Sequence, residues 1–421
     1  MSFLDECVKH LYITLTGIEP ATNQTHVKIH SRYFERLGDL SFPLLWKNWL
    51  SVIKDKPAHD QETILNYKLK QTENDQAFSK IIDILKNLVK VEKIEIIDNH
   101  AHIFLDRFFV YKSNMKDLFN ENRPHGKYEL FNKHIELEID ENIEQNDINN
   151  LNLSLLRLYI LKSVTANLLK LTTSEKVSGN ATTIYLSLNR KNKNPHITCG
   201  PVINKNGVKD MEYLASDLFK RRAIDMEMVA RHRYRVSANY NSDVVKYFYK
   251  LGVSSVTVEL LSNKPHKPIK VSLKCLSDVN KGPSFIFYNC ARLAVLLKEF
   301  DKNVEKGIYP KLPEIEDVDF SLLNQPEEWE LFYGYILQFP NVVKNCIRDI
   351  EKEFLNVQNL ITYLCNMCSV YSVYYRRIRI LTNPREHLFS VLHSRIYLLK
   401  SLQYVFHKAL EILNIDPIEE M

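Results

Sequence analysis

The chain is poor in glycine, with ten in 421 residues. That scarcity argues against a Gly-rich loop cradling phosphates and favours helices. Long apolar runs are missing too: no stretch of about eighteen apolar residues occurs, so no membrane span is expected. The opening "MSFLDECVKHLY" carries acids and lacks an apolar core segment, so it does not read as an export signal. Seven cysteines form an odd set without framework spacing and read as reduced thiols of a cytoplasmic protein. Strong charge of one sign is also lacking, and a net +5 is too mild to name a partner. No Gly-rich S-adenosylmethionine loop is evident and no Ser/His/Asp arrangement can be picked out, so no cofactor is expected. What remains is an ordinary globular composition, 45% hydrophobic and 25% charged, long enough for two or three domains.

Within that composition the patterning changes along the chain. Phe78, Ile81, Ile82, Leu85, Leu88 and Val89 recur at helical spacing. "KIEIIDNHAHIFLDRFFVY" then reads as two strands joined by a turn at Asp98 and Asn99. The polar, acidic stretch "HGKYELFNKHIELEIDENIEQNDINN" marks a boundary, and 1–125 is a small α/β domain. From residue 151 an apolar helix, a strand carrying Ile184, Leu186 and Leu188, a second strand "HITCGPV" and a basic-ended helix follow in turn. This alternation predicts a parallel α/β arrangement over 126–275, too small for a complete doubly wound domain. From about 283 the chain is helical to its end. One helix starts after Gly-Pro and stops at Gly307, apolar nearly all round except for a thin stripe of Asn289, Arg292, Glu299 and Asn303. Pro326 followed by two glutamates opens another helix, and long helices are expected over 356–380 and 386–414. Residues 276–421 therefore read as an all-α bundle.

Two stretches concentrate positive charge. Between 370 and 410 seven cations face Glu386 alone, so 7 − 1 = +6, although 283–421 as a whole is 15 − 18 = −3. Dipole compensation at a helix end explains one or two cations, not six net charges. Helical spacing puts Ser369, Ser372, Arg376 and Arg379 on one line, away from the apolar stripe Leu360, Leu364, Met367, Tyr371 and Ile378. Arg376, Arg377, Arg379 and Arg385 are therefore candidates to grip RNA phosphates or bases, with Tyr374 or Tyr375 as a stacking surface. Over 190–250 the balance is 13 − 6 = +7, and Lys220, Arg221, Arg222, Arg231, Arg233 and Arg235 dominate it. Two basic runs in different domains favour a long polyanion over a merely solvated helix face. Cys365 and Cys368 have no second pair to complete a zinc site, and His100 with His102 supplies only two ligands. Packing roles are expected for the two cysteines and a surface or packing role for the two histidines, and no metal.

The order of these elements resembles a known family. "YNCARLAVLLKEF", "LFYGYILQFPNVV", "LITYLCNMCSVYSVYYRRIRIL" and "RIYLLKSLQYVFHKALEILNIDPIEEM" are similar to the C-terminal anticodon-binding (DALR) domain of arginyl-tRNA synthetases, over about 250–421. "LGVSSVTVELLS" resembles their Leu-Gly-x-Asp-Ala-Leu-Arg segment, with Ser254, Ser255, Val256 and Thr257 in the last four places. "DILKNLVKVEKIEIIDNHAHIFLD" resembles their small N-terminal tRNA-elbow domain. The resemblance implies an α+β N-terminal part, a reduced class I synthetase-like α/β (Rossmann-type) middle and an all-α C-terminal anticodon-binding helical bundle. The activating motifs are absent: "HVKIH" lacks the glycine of His-x-Gly-His, and "INKNGVKDM" keeps Lys205, Lys209 and Met211 but not Lys-Met-Ser-Lys-Ser. An RNA-binding shell without adenylate chemistry, together with "GPSFIFYNCARLA", "DFSLL" and "RIRILTNPREHLF", resembles the DALR anticodon-binding domain-containing protein 3 family. That likeness implies a non-catalytic adaptor that recognises arginine tRNAs and recruits a tRNA 3-methylcytidine methyltransferase. The rival readings are a divergent arginyl-tRNA synthetase and a scaffold that binds only proteins.

Overall fold

The computed structural model describes residues 3–20, 26–53, 63–69, 74–86, 89–119, 130–131, 133–141, 147–173, 181–189, 195–204, 206–234, 242–273 and 282–420. Its described helices are α1 (Phe3–Thr16), α2 (Phe34–Leu37), α3 (Ile64–Leu69), α4 (Asn74–Leu85), α5 (Arg107–Leu118), α6 (Leu153–Thr172), α7 (Ala215–Tyr234), α8 (Ser242–Leu260), α9 (Pro283–Glu305), α10 (Pro326–Trp329), α11 (Phe339–Ile347), α12 (Gln358–Arg377) and α13 (Glu386–Ile412). Its strands are β1 (Lys28–Ile29), β2 (Leu40–Pro43), β3 (Val91–Ile97), β4 (His100–Leu105), β5 (Ile135–Ile139), β6 (Thr182–Ser187), β7 (His196–Thr198), β8 (Val202–Ile203) and β9 (Ile269–Lys270). None of the described helices is long and apolar enough to cross a membrane. The chain divides into two compact units, one of residues 1–124, 311–338 and 385–401, the other of 125–310, 339–384 and 402–421.

The first unit holds an antiparallel sheet in the order β1-β2-β4-β3. Its β3–β4 hairpin turns at Asp98 and Asn99, as the sequence predicts, and both adopt left-handed backbone (φ 49° and 59°). Asp and Asn tolerate that region because their short side chains bond locally. Buried Leu4, Cys7, Val8, Leu11 and Leu15 form one face of α1. On α4, Ile81 and Leu85 are buried as expected, but Ile82 is exposed, and Leu88 lies outside the described residues. The sequence predicts a helix after Pro326. The structure places only one α-helical turn there, then a π-helical segment over Glu330–Ile336. Asp39 is buried where Trp329 Nε1 donates to Oδ1 at 2.9 Å and the Leu105 amide donates to Oδ2 at 2.8 Å. Burial raises its pKa from the ordinary value of 3.8 to about 6.

In the second unit β5, β6 and β7 pair in parallel; β6 and β7 are strands the sequence names, whereas β5 lies inside the stretch read as a polar boundary, where Ile135, Leu137 and Ile139 alternate with glutamates. β8 pairs in parallel with β9. Asn152 caps α6 by accepting from the Leu155 amide at 3.0 Å. Leu151, Leu156, Val202, Leu218, Val256 and Leu260 form a core cluster around α6, α7 and α8. α7 and α8 cross where Gly252 has no side chain. A Cβ there would lie 2.5 Å from the Ala223 amide nitrogen and 2.8 Å from the Phe219 carbonyl oxygen. Backbone cannot yield as a flexible side chain can, so Gly252→Ala is expected to force the helices apart. We predict a loss of about 2–3 kcal/mol, read as a lower urea midpoint. α9 begins on Pro283 after Gly282, as read from the sequence.

Candidate nucleic-acid interface

α12 buries Leu360, Leu364, Met367, Tyr371 and Tyr374, a three-and-four repeat in which Tyr374 takes the last place of the apolar stripe, while Ile378, expected there, is half-buried beyond the end of the helix. Tyr374 is therefore a core residue, and its expected stacking role is corrected. Tyr375, the next residue along, is 39% exposed and packs edge-on against Tyr371 at 6.1 Å. Arg376, Arg377 and Arg379 are exposed where α12 ends. Arg376 Nε donates to the Ser372 carbonyl at 3.2 Å, and Arg379 donates to Asn383 Oδ1 at 3.2 Å. Neither has a carboxylate partner among the described residues. The segment beyond α12 is held by Tyr309, whose hydroxyl donates to the Thr382 carbonyl at 2.6 Å.

A further arginine joins this surface from α9. The Arg292 guanidinium lies 4.2 Å from the Tyr288 ring centre and 4.7 Å from that of Tyr375, so it touches an aromatic ring of each helix. Its Nη1 is buried without a partner. Asn289 lies one turn earlier on the same helix face. Its Nδ2 donates to the Phe285 carbonyl at 2.8 Å, and its Oδ1 is buried and unpaired. Tyr371 Oη is likewise buried and unpaired, and burial pushes its pKa upward. Unpaired buried donors and acceptors are rare in native structures and call for an explanation. Here one of them belongs to a guanidinium set against two aromatic rings, the kind of group that recognises the faces and edges of nucleobases. Sequence reasoning names the Asn289–Arg292 stripe without giving it a role. The Tyr288–Arg292 spacing of four is legible, but the Tyr375 contact comes from another helix.

The remaining expected cations are placed differently. Arg385 is exposed just before α13, in the first unit. Two of the seven cations counted over 370–410 are neutralised, Arg395 by Glu328 at 2.8 Å and Lys408 by Glu411 at 2.9 Å. Arg222 is a correction: it is buried, donates to both Glu259 oxygens at 2.7 and 2.8 Å, to Asp225 at 2.9 Å and to the Ser272 carbonyl at 2.7 Å. With its charge compensated inside the unit, it holds α7 to α8 and is not an RNA contact. Arg221 pairs with Asp225 at 3.2 Å and Arg231 with Glu227 at 2.8 Å. Lys220 is exposed without an ion pair among the described residues. The Arg233 side chain and all of Arg235 lie outside the described residues. Cys368 is buried and Cys365 half-buried, both as thiols outside any disulfide, and burial raises the pKa of each. Among the described residues no group of three or more His, Cys, Asp or Glu could hold a metal ion.

Comparison with known proteins gives the class first. The fold is that of arginyl-tRNA synthetases: the chain superposes on the crystal structure of the Plasmodium falciparum enzyme with a TM-score of 0.60 over 100% of both chains, at 12% identity. Residues 286–421, which contain Arg292 and all of α12, match the family model described as "DALR anticodon binding domain". Among individual proteins, the chain is 30% identical over 237 residues to "DALR anticodon-binding domain-containing protein 3" of Danio rerio, an alignment covering 53% of this chain and 41% of that one. The Mus musculus protein of the same name is 28% identical over 234 residues, 54% of this chain and 43% of that one. The chain thus spans about two fifths of the length of the curated relatives it matches.

Proposed function

We propose that this protein is a non-catalytic tRNA-binding adaptor that recognises arginine tRNAs through its DALR region and presents them to a methyltransferase forming 3-methylcytidine in the anticodon loop. The observation that carries the reading is the unpaired cationic and aromatic surface inside residues 286–421, where Arg376 and Arg379 stand exposed and Arg292 lies against Tyr288 and Tyr375. Phosphates release counterions to such arginines, and splayed loop bases stack on the rings. The non-catalytic part rests on the two activating motifs, whose places carry other residues. His30, in "HVKIH", is buried against Ser41 Oγ at 2.8 Å, and burial lowers its pKa to about 4, so it is a packed histidine. His26 stacks on Trp49 at 4.8 Å.

The test is binding of deacylated tRNA pools to the purified chain, with sequencing of what is retained. Enrichment of arginine acceptors is expected. Arg376→Glu with Arg379→Glu is expected to weaken binding about tenfold and to flatten its dependence on salt. Added to a 3-methylcytidine methyltransferase, the chain is expected to raise methylation of the enriched tRNAs. Retention without enrichment, or unchanged affinity in the double variant, rejects the reading. Arginine-dependent ATP–pyrophosphate exchange would instead establish a synthetase.

A further inference from the structure

A cavity of about 310 Å³ opens in the first unit, lined by the segments around Tyr33, Arg107 and Trp329. Tyr33 lines it with 76% of its surface exposed, and its backbone sits in the left-handed region at φ 61°. A large aromatic residue is strained in that conformation, and such outliers gather at ligand sites. Trp329 is held from below: Asp39 fixes its indole N–H, and the Arg107 guanidinium lies 5.3 Å from its ring centre. Around the opening stand two cations, Arg36 and Arg107, and two carboxylates, Glu35 and Glu330. Among the described residues none of the four has an ion pair or a side-chain hydrogen bond. Opposite charges that share a cavity without pairing are arranged for a guest that needs both donors and acceptors.

We propose that this cavity receives one unstacked guanine base, carried by an RNA or by a free nucleotide. Guanine alone among the common bases joins an acceptor edge, O6 and N7, to a donor edge, N1–H and N2–H₂. Guanidinium groups suit the first and carboxylates the second. The face of the ring would lie on Tyr33. Burial raises the pKa of Glu330 but leaves it an acceptor in either state. The RNA form of the proposal rests on the tRNA-binding reading above; the nucleotide form does not.

The test uses the full chain with two probes, 5′-GMP against 5′-AMP by equilibrium dialysis and unfractionated tRNA by gel shift. Wild type is expected to hold GMP at least tenfold tighter than AMP. Tyr33→Gly suits the left-handed backbone, so its melting midpoint should be unchanged or higher, while binding of GMP, tRNA or both falls about tenfold. Tyr33→Phe keeps the ring and should stay within twofold of wild type. Glu330→Ala, which removes the acceptor, should erase the preference for GMP. A loss confined to tRNA identifies a base within the RNA, and a loss confined to GMP identifies a free nucleotide. Wild-type binding of both probes by Tyr33→Gly, or equal affinity for GMP and AMP, overturns the proposal. A chain that binds GMP but no tRNA sinks the adaptor reading and leaves this site standing.

Discussion

Replacing Arg157 by methionine is expected to cost the second unit about 3–5 kcal/mol, a large part of the roughly 5–15 kcal/mol that holds a typical domain folded. Arg157 is the one charge in the apolar run "LNLSLLRLYIL" of α6, and it is 1% exposed. No carboxylate pairs with it among the described residues. Instead its guanidinium donates only to backbone: Nε to the Leu260 carbonyl at 2.9 Å, Nη1 to those of Gly200 and Lys267 at 2.7 Å each, and Nη2 to that of Lys264 at 3.2 Å. Leu260 ends α8, so the cation also sits at the negative end of that helix. Burial lowers the Arg157 pKa, but from a starting value so high that the group stays charged. Methionine fills much the same volume and takes the guanidinium donors from the Leu260, Gly200 and Lys267 carbonyls, at about 1–3 kcal/mol each before water reaches the outer ones, while the Lys264 carbonyl keeps the Lys267 amide at 2.9 Å. Lysine, with three donors and no plane, should recover part of the loss. The measurement is the urea midpoint followed by far-ultraviolet circular dichroism; an Arg157→Met midpoint equal to wild type would refute the account.

Arg157 also shows why some of the structure is legible in the sequence and some is not. Local devices are legible: the Asp98–Asn99 turn, the Pro283 helix start, the alternating strand at Thr182–Ser187, and most of the seam of α12. Each is written in a short local pattern of the chain. The partners of Arg157 are carbonyls more than forty residues away, and a carbonyl has no letter in the sequence; only the oddity of one charge in an apolar helix hints at them. Arg222 misleads for a related reason. Its place in a basic run is visible, but Glu259, which neutralises it, lies 37 residues on. Charge counts weigh every cation equally, and the structure removes Arg222, Arg395 and Lys408 from the reckoning through carboxylates supplied by the fold. Tyr33 gives no signal at all, since a strained φ has no compositional mark.

Arg292→Ala is expected to weaken tRNA binding about a hundredfold, equivalent to about 2.7 kcal/mol, with little change in thermal stability. The dissociation of the two effects follows from the geometry. A half-buried guanidinium with an unpaired Nη1 contributes little to folding, since the contacts with Tyr288 and Tyr375 are offset by the cost of a dry donor. A bound base would lie against the accessible part of the guanidinium and the exposed Tyr375 ring, contacts that exist in the complex and not in the free protein. Stacking of a base against such a layer is worth about 1–3 kcal/mol. Arg292→Lys separates charge from shape: an ammonium keeps the positive field but has no plane to lie along the rings. If flat stacking carries recognition, the lysine variant should bind nearly as poorly as the alanine variant; if charge alone matters, it should stay within a few-fold of wild type. Equal tRNA affinity for Arg292→Ala and wild type, measured at the same salt concentration, would remove the α9–α12 surface as the recognition site.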